Sequence, residues 1–463
     1  MNDSPSSASS RRDFLKNTGK FAAVSALAGV ALPHVHAQAD NTVQVALVGC
    51  GGRGTGAAAN ALNTSKTGPI KLVAMADIFQ NKLDSSYNTL NKEYSSQVDV
   101  TSDRKFIGFD GYKQAIDCLK PGDVAVFATP PAFRWVHFKY AIEKGVNVFM
   151  EKPICVDAPT GRRMIELAEE AKRKNLKVGV GLMVRHCRGR QALFDKIQKG
   201  GIGDVIALRA YRMHPPVGSA FTDWSFKKEG MSELLFQISR FHSFLWLSGG
   251  LFSDFYIHQI DECCWMKNAW PVKCHALGGR HYRGNEIDQN FDHYQVEYTF
   301  EDGGKFFMYG RTMRGCKDEF SSVAHGSEGL ATISLNGHHL GRAGRIYSGQ
   351  LIKSDDELWS AFPKQDAPDP YDMEWVDLME AIRNNTPYNE VKRAAEASMI
   401  TSMGRYAAHT GQEITWEDYF NHPQEFAPGI DKLTMDSPAP LLAKDGKYPV
   451  PEPGIVKDAE YKV

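Results

Sequence analysis

The stretch Val43-Gln44-Val45-Ala46-Leu47-Val48-Gly49-Cys50-Gly51-Gly52-Arg53-Gly54 decides the fold. Its first six residues are mostly β-branched or apolar, the composition of a parallel strand buried on both faces. Gly49, Gly51 and Gly54 then fit G-x-G-x-x-G, with Gly52 and Arg53 between the last two glycines. Small residues from Thr55 to Ala59 suit a helix lying close on a sheet. In a dinucleotide-binding turn the first glycine allows the sharp bend. The second admits the pyrophosphate against the backbone, and the third lets helix and strand touch. The phosphates meet free N–H groups at the helix N-terminus. A second apolar run, Leu72-Val73-Ala74-Met75-Ala76, ends in Asp77, about twenty residues past the glycines, where an acid holds the adenosine ribose. Asp77 favours NAD, because its carboxylate accepts from the ribose 2′-OH and repels a 2′-phosphate. Arg53 is placed to hold such a phosphate, so NADP stays open.

Downstream of Asp77, helical and apolar runs alternate. Polar Gln80 to Tyr94 and Gly111 to Leu119 read as helices, and Val124 to Ala128 as a buried strand ending in Thr129-Pro130-Pro131. Helix Phe133 to Lys144, strand Val146 to Met150 and Glu151-Lys152-Pro153 follow, then helix Ala158 to Lys174 and strand Val178 to Leu182. This alternation predicts a doubly wound parallel sheet. Ligands of such sheets lie beyond the carboxyl ends of the strands. Asp77, Thr129, Glu151, Lys152 and Arg185 all fall there.

Upstream, Ser10-Arg11-Arg12-Asp13-Phe14-Leu15-Lys16 precedes the modestly apolar Phe21 to Leu32. Twin arginines before such a run mark a Tat signal peptide over residues 1–39, and the run is short for a stable membrane span. Cleavage is expected after Ala37 or Ala39, with the Tat machinery as partner and the periplasm as destination. The 463 residues carry a formal net charge of −1, which implies no strong attraction to nucleic acid or an anionic membrane. The eight cysteines lack paired C-x-x-C spacing, which argues against a zinc ribbon or a disulfide scaffold.

The glycine turn, the strand-end Thr129-Pro130, a helix carrying His137, and Glu151-Lys152-Pro153 together resemble the Gfo/Idh/MocA family of glucose–fructose oxidoreductase and inositol dehydrogenase. The resemblance implies a nicotinamide-binding Rossmann domain over residues 40–186. It implies a substrate and oligomerisation domain over 187–422, with a large open, mainly antiparallel sheet. It further implies that Lys152 stands beside the nicotinamide and the substrate hydroxyl, supported by Glu151 and Pro153, and that Thr129, Pro130, His137 and Arg185 line the cofactor site. The open sheet often serves as an oligomer interface in that family, so a homo-oligomer is expected.

Beyond residue 187, Val205–Met213, Val272–Gly278, Phe291–Phe300 and Lys305–Thr312 read as strands, the last two joined by Glu301-Asp302-Gly303-Gly304. Ser253 to Trp265 reads as a helix capped by Ser253. Asp254, His258 and Asp261 share one face of it, with Ile257, Ile260 and Cys264 as an apolar stripe. An acid four residues before a histidine can orient the imidazole. By resemblance Asp254 and Arg185 bind substrate, and His258 joins Lys152 in proton transfer. Asp261 is the alternative, purely structural partner for His258. No metal is expected, since Asp254, His258 and Cys263 make a poor ligand set. The segment 215–247 is rich in aromatics, suited to sugar rings or to the core. Tyr371 to Asn384 and Glu390 to His409 read as helices, and residues 423–463 as an extended proline-rich tail.

The expected activity is hydride transfer between a tightly bound nicotinamide and a sugar, polyol or glycoside. A redox-assisted glycoside hydrolase or lyase remains an alternative. It shares the Gly-Gly-Arg-Gly turn, although its tyrosine-bearing segment is not evident here. A non-catalytic carbohydrate-binding protein on the same fold is the third reading.

Overall fold

Val43–Val48 forms the central strand β1 of a six-stranded parallel sheet. The computed structural model describes residues 41–281, 284–338, 343–361 and 368–462. The twin-arginine segment and its cleavage region lie outside the described residues. The other strands are β2 (Ile70–Asp77), β3 (Lys105–Ile107), β4 (Val124–Phe127), β5 (Asn147–Met150) and β6 (Val178–Val180). Their order is β3-β2-β1-β4-β5-β6, so the sheet winds outward in both directions from β1. The crevice between β1 and β4 is therefore the topological switch point, where doubly wound sheets bind ligands. β1 is nearly dry on both faces, as its composition requires.

The second sheet has nine strands: β7 (Val205–His214), β8 (Lys273–Gly279), β9 (His293–Thr299), β10 (Lys305–Thr312), β11 (Glu319–Gly326), β12 (Leu330–Leu335), β13 (Arg345–Tyr347), β14 (Glu357–Ser360) and β15 (Ile414–Thr415). The order is β14-β13-β12-β11-β7-β10-β9-β8-β15, and only the β7–β10 pairing is parallel. Tyr294, Val296 and Tyr298 alternate inward from β9 and are buried. The inner face packs on the helix Gly250–Lys267, with Tyr256 against Gly310, where an added Cβ would lie 2.0 Å from the ring.

That helix begins earlier than its sequence suggests. Gly249 and Gly250 have φ of 71° and 72°, and an added Cβ would strike Arg405 or Asn290 at 2.5 Å. Glycine alone takes this left-handed start without strain. Ser253 is consequently inside the helix rather than at its cap, and its Oγ accepts from Arg405.

Two late helices join the sheets. Pro370–Arg383 returns to the parallel sheet, burying Trp375, Leu378 and Ile382, with Trp375 stacked on Phe149 at 4.5 Å. Val391–Thr410 is buried along almost its whole length, between the helix Ala158–Arg173 and the helix Gly250–Lys267. The segment after residue 423 is largely without regular secondary structure and is packed on the domain. Leu441, Tyr448, Val456 and Tyr461 are buried, and Gly446 O accepts from Trp224 Nε1 at 2.8 Å. Among the described residues no helix is long and apolar enough to cross a membrane.

Candidate active site

Each glycine of the turn has a separate physical reason. Gly49 has φ +96°, and a Cβ there would meet the Ala128 backbone at 2.7 Å. A Cβ on Gly54 would sit 1.9 Å from Gly49 O, so the helix Gly52–Asn63 can lie this close only with glycine. Gly51 and Gly52 face open space, with nothing within 4 Å of an added Cβ. They leave the helix N-terminus bare for an anion, as a pyrophosphate needs.

The cleft beside this turn is lined by Gly49, Gly51, Asp77, Thr129, Pro130 and His137. Lys82 also lines it, and so do Ile238 and Phe241 from the second domain. Asp77 is fixed by two backbone donors: Cys50 N–H to Oδ2 at 2.7 Å and Phe79 N–H to Oδ1 at 2.8 Å. Burial raises its pKa, and those donors work against the rise. Arg53 does not share the Asp77 corner. Its Nε lies 2.8 Å from Glu151 Oε1, its Nη2 donates to Asn60, and its guanidinium covers the Tyr371 ring at 4.6 Å. The arginine weighed as a 2′-phosphate ligand is thus engaged with Glu151 and Asn60. Lys82 is the cation nearest the ribose corner, and Asp77 stands beside it. Wild-type protein is expected to bind NAD more tightly than NADP, and Asp77→Ser to shift the ratio of the two dissociation constants toward NADP by about tenfold or more. Fluorescence titration with both cofactors measures it; tighter NADP binding by the wild type defeats the argument.

At the base of the cleft, His137 Nδ1 lies 3.2 Å from Thr129 Oγ1. Burial, with Arg134 nearby, lowers its pKa to about 3, so the imidazole is neutral. Arg134 is fully buried and donates to Thr129 O at 2.9 Å. Burial lowers its pKa to about 10, against the pull of Glu151 and Asp254. Nothing in the pattern of the helix marked Arg134 as part of the site.

Lys152 follows the end of β5, and its peptide bond to Pro153 is cis. Its Nζ donates to Asp254 O at 2.7 Å and lies 3.6 Å from Asp254 Oδ1. The other oxygen, Oδ2, is 3.1 Å from His242 Nε2. Ser219 N–H donates to His242 Nδ1, which puts the imidazole proton on Nε2, facing the carboxylate. Burial would raise the Asp254 pKa, but Lys152 and His242 outweigh it and hold it at about 2. Lys152, Asp254 and His242 thus form one connected group. His242 was legible in the sequence only as one ring of the aromatic segment.

The imidazole that Asp254 orients is accordingly His242 and not His258. Asp261 is not the partner of His258 either. It takes Arg185 through two parallel contacts, Nε to Oδ2 at 2.9 Å and Nη2 to Oδ1 at 2.7 Å. Arg185 therefore braces the helix Gly250–Lys267 from the end of β6. His258 is buried, its ring 4.5 Å from His338, and its Nδ1 has no hydrogen-bond partner. Burial holds its pKa well below the ordinary value, and His338, Lys152 and Arg212 push it in the same direction. Phe236, Phe244 and Trp246 of the aromatic segment are core, whereas Phe241 lines the nucleotide cleft.

Residues 43–181 match the family model GFO_IDH_MocA, described as an oxidoreductase family with an NAD-binding Rossmann fold. These residues form an NAD-binding domain of that oxidoreductase type. The inositol 2-dehydrogenase of Serratia proteamaculans is 29% identical over 165 residues, which cover 35% of this chain and 47% of that protein. That of Pseudomonas fluorescens is 40% identical over 81 residues, 18% of this chain and 24% of the relative. The chain thus spans less than half the length of these curated relatives. Solved structures share the architecture more widely. Aldose–aldose oxidoreductase from Caulobacter crescentus has a TM-score of 0.60 at 15% identity, covering 81% of this chain and 99% of its own. The myo-inositol 2-dehydrogenase of Lactobacillus plantarum gives 0.57 at 20% identity, with the same coverages. A levoglucosan dehydrogenase solved with NADH and levoglucosan gives 0.59 at 16%, again over 81% and 99%.

Proposed function

We propose that this chain is a Gfo/Idh/MocA-type oxidoreductase that oxidises or reduces a CH–OH group of a sugar, polyol or glycoside with a tightly held NAD. The observation that carries the reading is the connected Lys152–Asp254–His242 group, with Lys152 just past the end of β5 and His242 next to Phe241, which lines the cleft beside the glycine turn. The bound nicotinamide supplies the hydride chemistry. The residues of the chain hold and aim it. Bare N–H groups at Gly51 and Gly52 receive the pyrophosphate, Asp77 the ribose, and the Glu151–Arg53 pair stiffens the approach to Lys152.

Lys152 takes the hydroxyl proton as the C–H bond breaks and returns it in the reverse direction. The ionised Asp254 stabilises the resulting ammonium, and His242 Nε2–H keeps the carboxylate turned toward it. His258, neutral and with Nδ1 unpartnered, offers a hydrogen bond to a substrate hydroxyl.

The same reading includes export. Arg11-Arg12 ahead of an apolar run supports a Tat leader, and that route carries folded proteins. The periplasm is not expected to supply a free nicotinamide pool, so in this reading the cofactor travels with the protein. Retention through dilution needs a dissociation constant of roughly nanomolar or below, about −12 kcal/mol. Protein from the periplasmic fraction is expected to keep close to one nicotinamide per chain through gel filtration. It is expected to change the absorbance of that nicotinamide when sugars or polyols are added, with no NAD supplied. Cofactor-free protein that cycles only with added NAD, or a cytoplasmic protein with its leader intact, counts against tight binding and export.

A further inference from the structure

Strand β7 carries Leu208, Ala210, Arg212 and His214 on its inner face, the face that packs against the helix Gly250–Lys267. Leu208 and Ala210 are buried, as that face requires. The next two inward positions hold an arginine and a histidine instead of apolar residues. Among the described residues, Arg212 Nε and Nη1 are buried and make no hydrogen bond, and His214 Nε2 is in the same condition. The Arg212 guanidinium stacks on Phe320 at 4.2 Å, Phe320 meets His338 at 4.7 Å, and His338 meets His258 at 4.5 Å. These contacts carry the guanidinium toward His258, which feels the charges of both Arg212 and Lys152, and Asp254 acts in turn on Arg212.

Among the described residues, the carboxylates that act on Arg212 are committed elsewhere. Asp254 faces Lys152 and His242, and Glu262 accepts from Ser322 and Ser334 beside Arg190. Burial lowers the Arg212 pKa to about 10, which still leaves it cationic near neutral pH. Arg212 is half-buried, with two of its nitrogens out of water and unpartnered, and a ligand that brings an anion to it offsets that desolvation. The arrangement also specifies hydroxyls. His214 Nδ1 lies 2.7 Å from Pro215 O, so Nδ1 carries the proton and Nε2 is left as an acceptor.

We propose that the substrate is a sugar acid, whose carboxylate is bound by Arg212 and one of whose hydroxyls donates to His214 Nε2. This deepens the oxidoreductase reading and rests on it for the reaction, though not for the binding. A planar guanidinium matches a carboxylate through two parallel N–H···O contacts, which a neutral hydroxymethyl group cannot reproduce.

Matched pairs test it: glucose against glucuronate and glucose 6-phosphate, galactose against galacturonate. Each is added to protein carrying its own nicotinamide, for wild type, Arg212→Gln and Arg212→Lys. Bound-nicotinamide absorbance reads the reaction, and thermal shift reads binding. Wild type is expected to favour a uronate over its neutral sugar by about a hundredfold in kcat/KM, the scale of a bidentate charged contact. Arg212→Gln is expected to abolish that preference and Arg212→Lys to restore it only in part. A preference for the neutral sugars, a preference for the phosphate, or an acid preference untouched in Arg212→Gln overturns the proposal. If no sugar alters the nicotinamide, the reaction reading fails. The thermal shift then still decides the inference: a uronate stabilising wild type but not Arg212→Gln supports it, and no such difference overturns it.

Discussion

Lys152→Ala is expected to lower turnover by about 10²- to 10⁴-fold, the range for loss of a positioned general base. The fold should survive, because the lysine is partly exposed and anchors no apolar packing. A structural cation and a base predict different outcomes for the conservative change. Lys152→Arg keeps a positive charge opposite Asp254, so a purely electrostatic role would be largely rescued. A guanidinium gives up its proton far less readily than an ammonium, so a proton-transfer role would not. The expected result is that Lys152→Arg is nearly as slow as Lys152→Ala while retaining its nicotinamide. Single-turnover rates with the best substrate measure it. Turnover in either variant within a few-fold of wild type removes Lys152 from the chemistry.

The nucleotide half was legible because its signals are local. The run Val43–Val48, the glycines and Asp77 lie within one strand–turn–helix–strand unit, and each residue type answers a constraint visible nearby in the chain. Lys152 was legible by resemblance, through Glu151-Lys152-Pro153. The partners that complete the site come from afar and leave little trace. His242 sits in a stretch without periodicity, and Ser219, more than twenty residues before it, holds the ring nitrogen opposite the one that meets Asp254. The Asp254–His258 spacing suggested the wrong imidazole for a physical reason. Helical spacing puts two residues on one face but does not decide which third element packs over them. Strands β11 to β15 escaped notice because several are short and their sheet is mixed. Arg212 did leave a signal. A charged residue at an inward position of an alternating strand breaks the pattern, and such breaks mark function or strain.

The tail holds the other large expected effect. Glu460 is buried and takes the fully buried Arg405 through contacts of 2.7 Å to Oε1 and 2.9 Å to Oε2, and His409 Nδ1 lies 2.6 Å from the same Oε2. Arg405 also donates to Val156 O at 2.9 Å, to Gly249 O at 3.0 Å and to Ser253 Oγ at 2.6 Å. One guanidinium thus ties the loop after Lys152 to the start of the helix that carries Asp254. Glu460→Ala strands that cation in the core, and breaking a buried pair from one side costs about 3–5 kcal/mol. Equilibrium denaturation should show that loss. Replacing both partners, Arg405→Met with Glu460→Leu, should cost markedly less than Glu460→Ala alone, since no charge is then left unpaired. The acid limb carries the same sign. Burial would raise the Glu460 pKa, but Arg405 and His409 hold it at about 2, below its ordinary 4.5. Its contribution is therefore complete above about pH 4.5 and is lost as pH falls toward 2. Glu460→Gln should flatten the stability profile across that window. A destabilisation below about 1 kcal/mol for Glu460→Ala, with an unchanged acid limb, would mean that the tail only covers the domain and does not brace the site.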